Sequence, residues 1–172
     1  MYPIDNFYNV NNYIHILNGS LLADLIIIVI IYYTPYLSSK YVMQWYEDFR
    51  LSAILADVLI IMIGLIIARY IFTKYNIEWN IYKFIGLVLA IQIIHDVLFY
   101  NLFKNIPKGA NRMLDLFKLY AKEVSFNAIL GDSLIMILAV VFTSYFASLD
   151  LNKNIIILIT LLYSVPYLIY TK

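Results

Sequence analysis

Asp57, Asp96, Asp132 and His95 are the side chains in this sequence best suited to chemistry, because each lies inside a long apolar run. Asp57 sits in Ser52–Gly64, S-A-I-L-A-D-V-L-I-I-M-I-G, and Asp132 in a partial copy of that stretch, Asn127–Ala139, N-A-I-L-G-D-S-L-I-M-I-L-A. His95 and Asp96 are adjacent in I-Q-I-I-H-D-V-L, with Gln92 one helical turn before Asp96. A carboxylate placed centrally in hydrocarbon costs roughly 2.5–3.5 kcal/mol on insertion scales. Two readings of this expense stand side by side. The acids bind a proton or a cation, for which three carboxylates and an imidazole form a hard-donor set that makes a divalent cation a candidate ligand. Alternatively they are interhelical glue, bonded to Ser52, Gln92, Asn127 or Ser133, at roughly 0.6–2 kcal/mol per bond.

Other chemistries find no support. The chain carries no P-loop, no dinucleotide fingerprint, no H-E-x-x-H, no G-x-S-x-G and no T-V-G-Y-G-type filter. No catalytic residue or organic cofactor is assigned. Cys is absent, which removes thiolate metal sites and Cys nucleophiles. The net charge of +1 gives no field that would attract nucleic acid.

The elements that must position the acids follow from composition. The 172 residues are 63% apolar and 13% charged, whereas soluble domains are about 45–50% apolar and 25% charged. The sequence predicts an all-α integral membrane bundle of about five transmembrane helices in a single membrane domain, 1–172. The spans fall at about 20–37, 51–70, 81–103, 124–147 and 154–170, with spans 2 and 4 a parallel partial repeat. Residues 1–17 read as an interfacial leader with no cleavable signal peptide, and Asn18-Gly19-Ser20 as helix N-cap chemistry for span 1. Pro35 kinks or ends span 1. Residues 38–50 read as a polar loop whose Trp45 and Tyr46 suit a headgroup position. Arg69 and Tyr70 close span 2. In the third loop Ile106-Pro107-Lys108-Gly109 is a turn, and Met113, Leu114, Phe117, Tyr120 and Val124 recur at helical spacing, predicting a short interfacial helix that lies on the membrane surface or extends span 4.

Lys and Arg set the expected orientation. One side collects four of them and the other eight, which predicts the N-terminus outside and the C-terminus cytosolic. Asp57 lies six residues into span 2, Asp96 seven before the end of span 3, and Asp132 a similar distance into span 4. At 1.5 Å per residue all three fall roughly 9–11 Å below the cytosolic edge of the hydrocarbon. Asp57, Gln92, His95, Asp96 and Asp132 then form one intramembrane polar layer. Asp24, near the outer end of span 1, falls outside it and reads as a first-turn acid complementing the helix dipole. The faces agree: Ala53, Gly64 and Ala68 share a stripe with Asp57, and Ala128, Ala139 and Thr143 share one with Asp132. Small residues of this kind permit close helix contact in lipid. His15 is isolated from the layer.

The strings L-A-D-L, L-S-A-I-L-A-D-V-L-I-I-M-I-G, I-Q-I-I-H-D-V-L-F-Y, I-P-K-G-A-N-R-M-L-D-L-F-K-L-Y-A-K-E-V, A-I-L-G-D-S and L-Y-S-V-P-Y resemble uncharacterised multi-pass membrane proteins of giant (nucleocytoplasmic large) DNA viruses. That resemblance implies a virion internal membrane or an infected-cell membrane and supplies no functional residues. Three readings of function follow. The chain is a viral membrane or assembly component without enzymatic activity, a small ion or proton channel or transporter using the acid layer, or a membrane-embedded, metal-dependent lipid enzyme. The lipid bilayer is the expected partner, and a homo-oligomer is expected for the transport reading.

Overall fold

The computed structural model describes residues 1–124 and 126–171, and the side chains of these except 124 and 126–128. The side chains of Val124, Asn127 and Ala128, singled out above, and Lys172 lie outside what is described. Among the described residues the chain folds into seven α-helices and no strand: α1 (Asn12–Tyr33), α2 (Lys40–Phe49), α3 (Leu51–Lys74), α4 (Ile81–Asn105), α5 (Arg112–Val124), α6 (Phe126–Phe146) and α7 (Leu151–Tyr170). Five of them, α1, α3, α4, α6 and α7, are long and apolar enough to cross a bilayer, which fits a multi-pass integral membrane protein. Their outward side chains are themselves apolar: Leu55, Leu59 and Ile63 on α3, Ile94 and Leu98 on α4, Ile156 on α7. In water such a surface would be a liability; facing acyl chains it needs no partner.

α1 is the most buried of the five and packs against α3, α6 and α7. It begins eight residues earlier than the sequence suggests. Asn18, Gly19 and Ser20, expected to cap the helix, are interior and buried. Their size serves packing: a Cβ on Gly19 would lie 2.3 Å from Thr143 Oγ1 and 2.9 Å from the Ala139 carbonyl oxygen on α6. The stripe of small residues is buried, with Ala53, Ala68, Ala139 and Thr143 all at 0% exposure. At its far end α1 stops at Tyr33, where Thr34 Oγ1 donates to the Ile30 carbonyl at 2.7 Å and Pro35 prevents continuation.

Residues 38–50 are not a loop. Ser39 accepts from the Val42 amide at 3.1 Å and opens α2. Val42, Trp45, Tyr46 and Phe49 fall at i, i+3, i+4 and i+7, giving an apolar face that packs on the bundle. Arg50, at φ 48°, turns the chain from α2 directly into α3. α5 is the amphipathic helix expected in the third loop; Asn111 caps it by accepting from Met113 N and Leu114 N. Gly109 takes φ 90° in the preceding turn. α2 and α5 lie antiparallel: Arg112 pairs with Asp48 at 2.9 Å, while the Glu123 carboxylate accepts from the first amides of α2, Lys40 N and Tyr41 N, at 3.4 and 3.3 Å. Trp45 and Phe117 join the two helices, their ring centroids 4.9 Å apart. This pair forms a cap across one end of the bundle.

The opposite end is closed by the N-terminal segment. Ile4 is fully buried. Thr73 Oγ1 accepts from Phe7 N and donates to the Asp5 carbonyl, and Ser144 Oγ donates to the Tyr2 carbonyl. The leader is thus packed into the fold. α3 runs past Arg69 and Tyr70 to Lys74, and Arg69 is wholly buried.

Candidate functional site

The acids on the spans meet the cap. Asp57 Oδ2 accepts from Trp45 Nε1 and from the Tyr46 hydroxyl, both at 3.0 Å. Trp45 and Tyr46, read from sequence as headgroup anchors, are 5% and 4% exposed and reach inward instead. The amphipathic spacing of α2 was the signal that could have placed them there. Helix α2 lies on the bundle with its apolar face inward, and its indole and phenol tips reach the Asp57 and Asp24 carboxylates below.

Asp24 belongs to the same cluster. The Tyr46 hydroxyl lies 3.4 Å from Asp24 Oδ1. Its expected place near the outer end of span 1 is corrected by the helix start: with α1 beginning at Asn12, Asp24 is the thirteenth of 22 residues and lies deep in the bundle, 0% exposed. A first-turn role is therefore ruled out. Asp24 Oδ2 has no hydrogen-bond partner among the described residues.

A second group lies across the layer on α4 and α6. Asp96 accepts from the Gln92 amide and contacts His95 Nδ1 at 3.2 Å. Ser133 Oγ donates to Gln92 Oε1 at 3.1 Å, tying α6 to α4. Asp132 on α6 lies within electrostatic reach of both Asp96 and Asp57. Tyr120 of α5 faces Asp132, Asp57 and Asp96 from the cap. The structure thus brings Asp57, Gln92, Asp96 and Asp132 into one neighbourhood and adds Asp24, Trp45, Tyr46 and Tyr120. His95, its side chain 40% exposed, sits at the edge and stacks on Phe99. His15 lies near the other end, its Nδ1 3.2 Å from Asn12 Oδ1.

Two features bear on chemistry. Burial, then the facing carboxylates of Asp24 and Asp57, holds the Tyr46 phenol well above its ordinary range, and burial followed by Asp132, Asp57 and Asp96 does the same to Tyr120. Both phenols therefore hold their protons, and the Tyr46 hydroxyl is a hydrogen donor to the acids. Secondly, one hydroxyl carries one hydrogen. Tyr46 can donate to Asp57 or to Asp24; both contacts become hydrogen bonds at once when a proton on the Asp24 carboxyl is donated to the phenol oxygen. Asp24–Tyr46–Asp57 is then a continuous chain of proton donors and acceptors. Among the described residues no three His, Asp or Glu side chains gather closely enough to hold a metal ion. No family model matches the chain, and neither curated proteins nor solved structures give a match.

Proposed function

We propose that this chain is a small integral membrane protein that handles protons or monovalent cations at the carboxylate layer, with α2 and α5 as the cover over that layer. The observation that carries the reading is Asp24: wholly buried, one oxygen without a partner and the other sharing Tyr46 with Asp57. The four carboxylates form a series, Asp24 within electrostatic reach of Asp57, Asp57 of Asp132, and Asp132 of Asp96. Such a concentration of charge in a low-dielectric interior persists when protons or cations neutralise it. The basic residues of α5 and its preceding turn support an orientation with the cover on the cytosolic side and the N-terminus outside. The experiment is flux in proteoliposomes under an imposed pH or cation gradient. Wild-type protein passes H⁺ or the cation, and Asp24→Asn and Asp132→Asn each reduce the rate at least tenfold while the protein still folds. Absence of flux under every gradient and voltage overturns the reading.

A second reading has its own support. Asp57 is bonded by two donors from α2, as a docking point for that helix would be. A non-enzymatic assembly component, in a viral internal membrane or an infected-cell membrane as the sequence resemblance implies, would use the acids this way. In that case Asp57→Asn impairs folding or assembly, and the Asp24 variant behaves as wild type.

A further inference from the structure

At the end of the bundle away from the acid layer, Arg69 presents an arrangement that neither reading uses. The side chain is 0% exposed although it lies on a span. Its Nη2 donates to the backbone carbonyls of Asn6 and Asn9, the latter at 2.9 Å. A guanidinium has five N–H donors. Two are met by those carbonyls, while Nε and Nη1, which carry the other three, have no acceptor among the described residues. Nor does Arg69 take part in any described ion pair. Asp5 is within electrostatic reach but beyond ion-pair distance, its backbone held by Thr73. The cation lies against the Tyr13 ring, 5.1 Å from its centroid, and near the buried His15. A buried charge with unmet donors and no counter-ion is among the most expensive arrangements a protein interior can hold.

We infer that Arg69 binds a small monovalent anion of the halide type, held by Nε–H and Nη1–H beneath the N-terminal segment. A monatomic anion accepts several N–H bonds at once and neutralises the guanidinium without the room that a phosphate or sulfate requires. The segment 2–9, fastened through Thr73 and Ser144 and through Arg69 itself, closes over the site. The anion and the segment would stabilise each other, because both engage the same guanidinium.

The test is thermal unfolding of the detergent-purified full chain in sodium chloride or bromide against sodium gluconate at constant ionic strength. Wild-type protein shows a saturable rise in Tm of about 3–6 °C with halide. Arg69→Gln abolishes the halide response, and Arg69→Lys, which keeps the charge but loses the planar fork, weakens apparent halide affinity at least tenfold. Asp5→Asn, which removes the nearest competing carboxylate, leaves the response intact or strengthens it. Should the Arg69 variants fail to fold, broadening of the ³⁵Cl resonance by wild-type protein, reversed by excess bromide, provides the measurement. No halide-specific rise in the wild type, or no ³⁵Cl broadening, overturns the assignment. So does stabilisation by added phosphatidylglycerol in gluconate with no halide effect, which would make the anion a lipid phosphate.

Discussion

A methyl group at Gly19 would have to displace backbone. The nearest atoms include the Thr143 amide nitrogen at 2.7 Å and the Ala139 carbonyl oxygen at 2.9 Å, neither of which can turn aside. At Gly64 the single close atom is Met136 Cε, at 2.8 Å, the end of a flexible chain. Gly19→Ala is therefore expected to destabilise the bundle by about 2–3 kcal/mol through overpacking. Gly64→Ala, which also gains helix propensity, should stay within about 1 kcal/mol of wild type. Thermal unfolding in detergent compares them, and equal melting temperatures would mean that α1 and α6 are not held at this distance. Tyr46→Phe tests the relay at the same scale. Losing a buried hydroxyl between two acids costs about 1–3 kcal/mol and, on the proposed function, lowers flux as Asp24→Asn does. These residues show what a sequence discloses. The acids on α3, α4 and α6 stood out because charge inside a hydrophobic run is conspicuous whatever the packing. Asp24 did not, because its depth depends on where α1 begins, and Asn18-Gly19-Ser20 has the same composition whether it caps a helix or lets two helices touch.

At the scale of elements, α2 and α5 meet through Trp45 and Phe117 and through exposed charge at their ends, and the charged part makes their docking sensitive to acid. The Asp48 carboxyl lies below the ordinary carboxylate range, first because the Gln44 amide bonds it and then because Arg112 does. A carboxylate depressed on folding contributes stability that is complete above its unfolded value near 4 and is lost as pH falls through the lower folded value. Acidification below about pH 4 should loosen the cap, and Trp45, buried between α2 and Phe117, reports it as a red shift in fluorescence. Asp48→Asn should remove part of that acid sensitivity while leaving the emission near neutral pH close to wild type. The contribution is small, since both partners are solvent-accessible, and salt reduces it. Among the elements, α5 was legible because its apolar residues repeat over thirteen positions, whereas in α2 a run of only ten, rich in Tyr and Trp, passes equally well for an interfacial loop.

For the molecule as a whole, five consecutive spans sort every connection to one of two ends, and the sorting can be tested without knowing the function. Residues 1–11, the α3–α4 connection and the α6–α7 turn share one end; α2, α5 and the end of α7 share the other. The two ends differ in construction, one closed by the N-terminal segment on Arg69, Thr73 and Ser144, the other by the paired amphipathic helices over the carboxylates. The sequence has no cysteine, so single introduced thiols are the sole reactive ones. In sealed vesicles of uniform orientation, a membrane-impermeant maleimide should label Tyr8→Cys, Asn76→Cys and Ser148→Cys as one set, and Lys40→Cys and Lys108→Cys as the other, with the second set reacting only after the vesicles are opened if the basic side is internal. A re-entrant α7 would leave both sets unchanged and move only the end of the chain, so Thr171→Cys decides that point: labelling with the Lys40 set means that α7 crosses, and labelling with the Tyr8 set means that it turns back. Mixed labelling within either set would break the alternation of spans, and with it the placement of Asp24, Asp57, Asp96 and Asp132 at a common depth beneath α2 and α5.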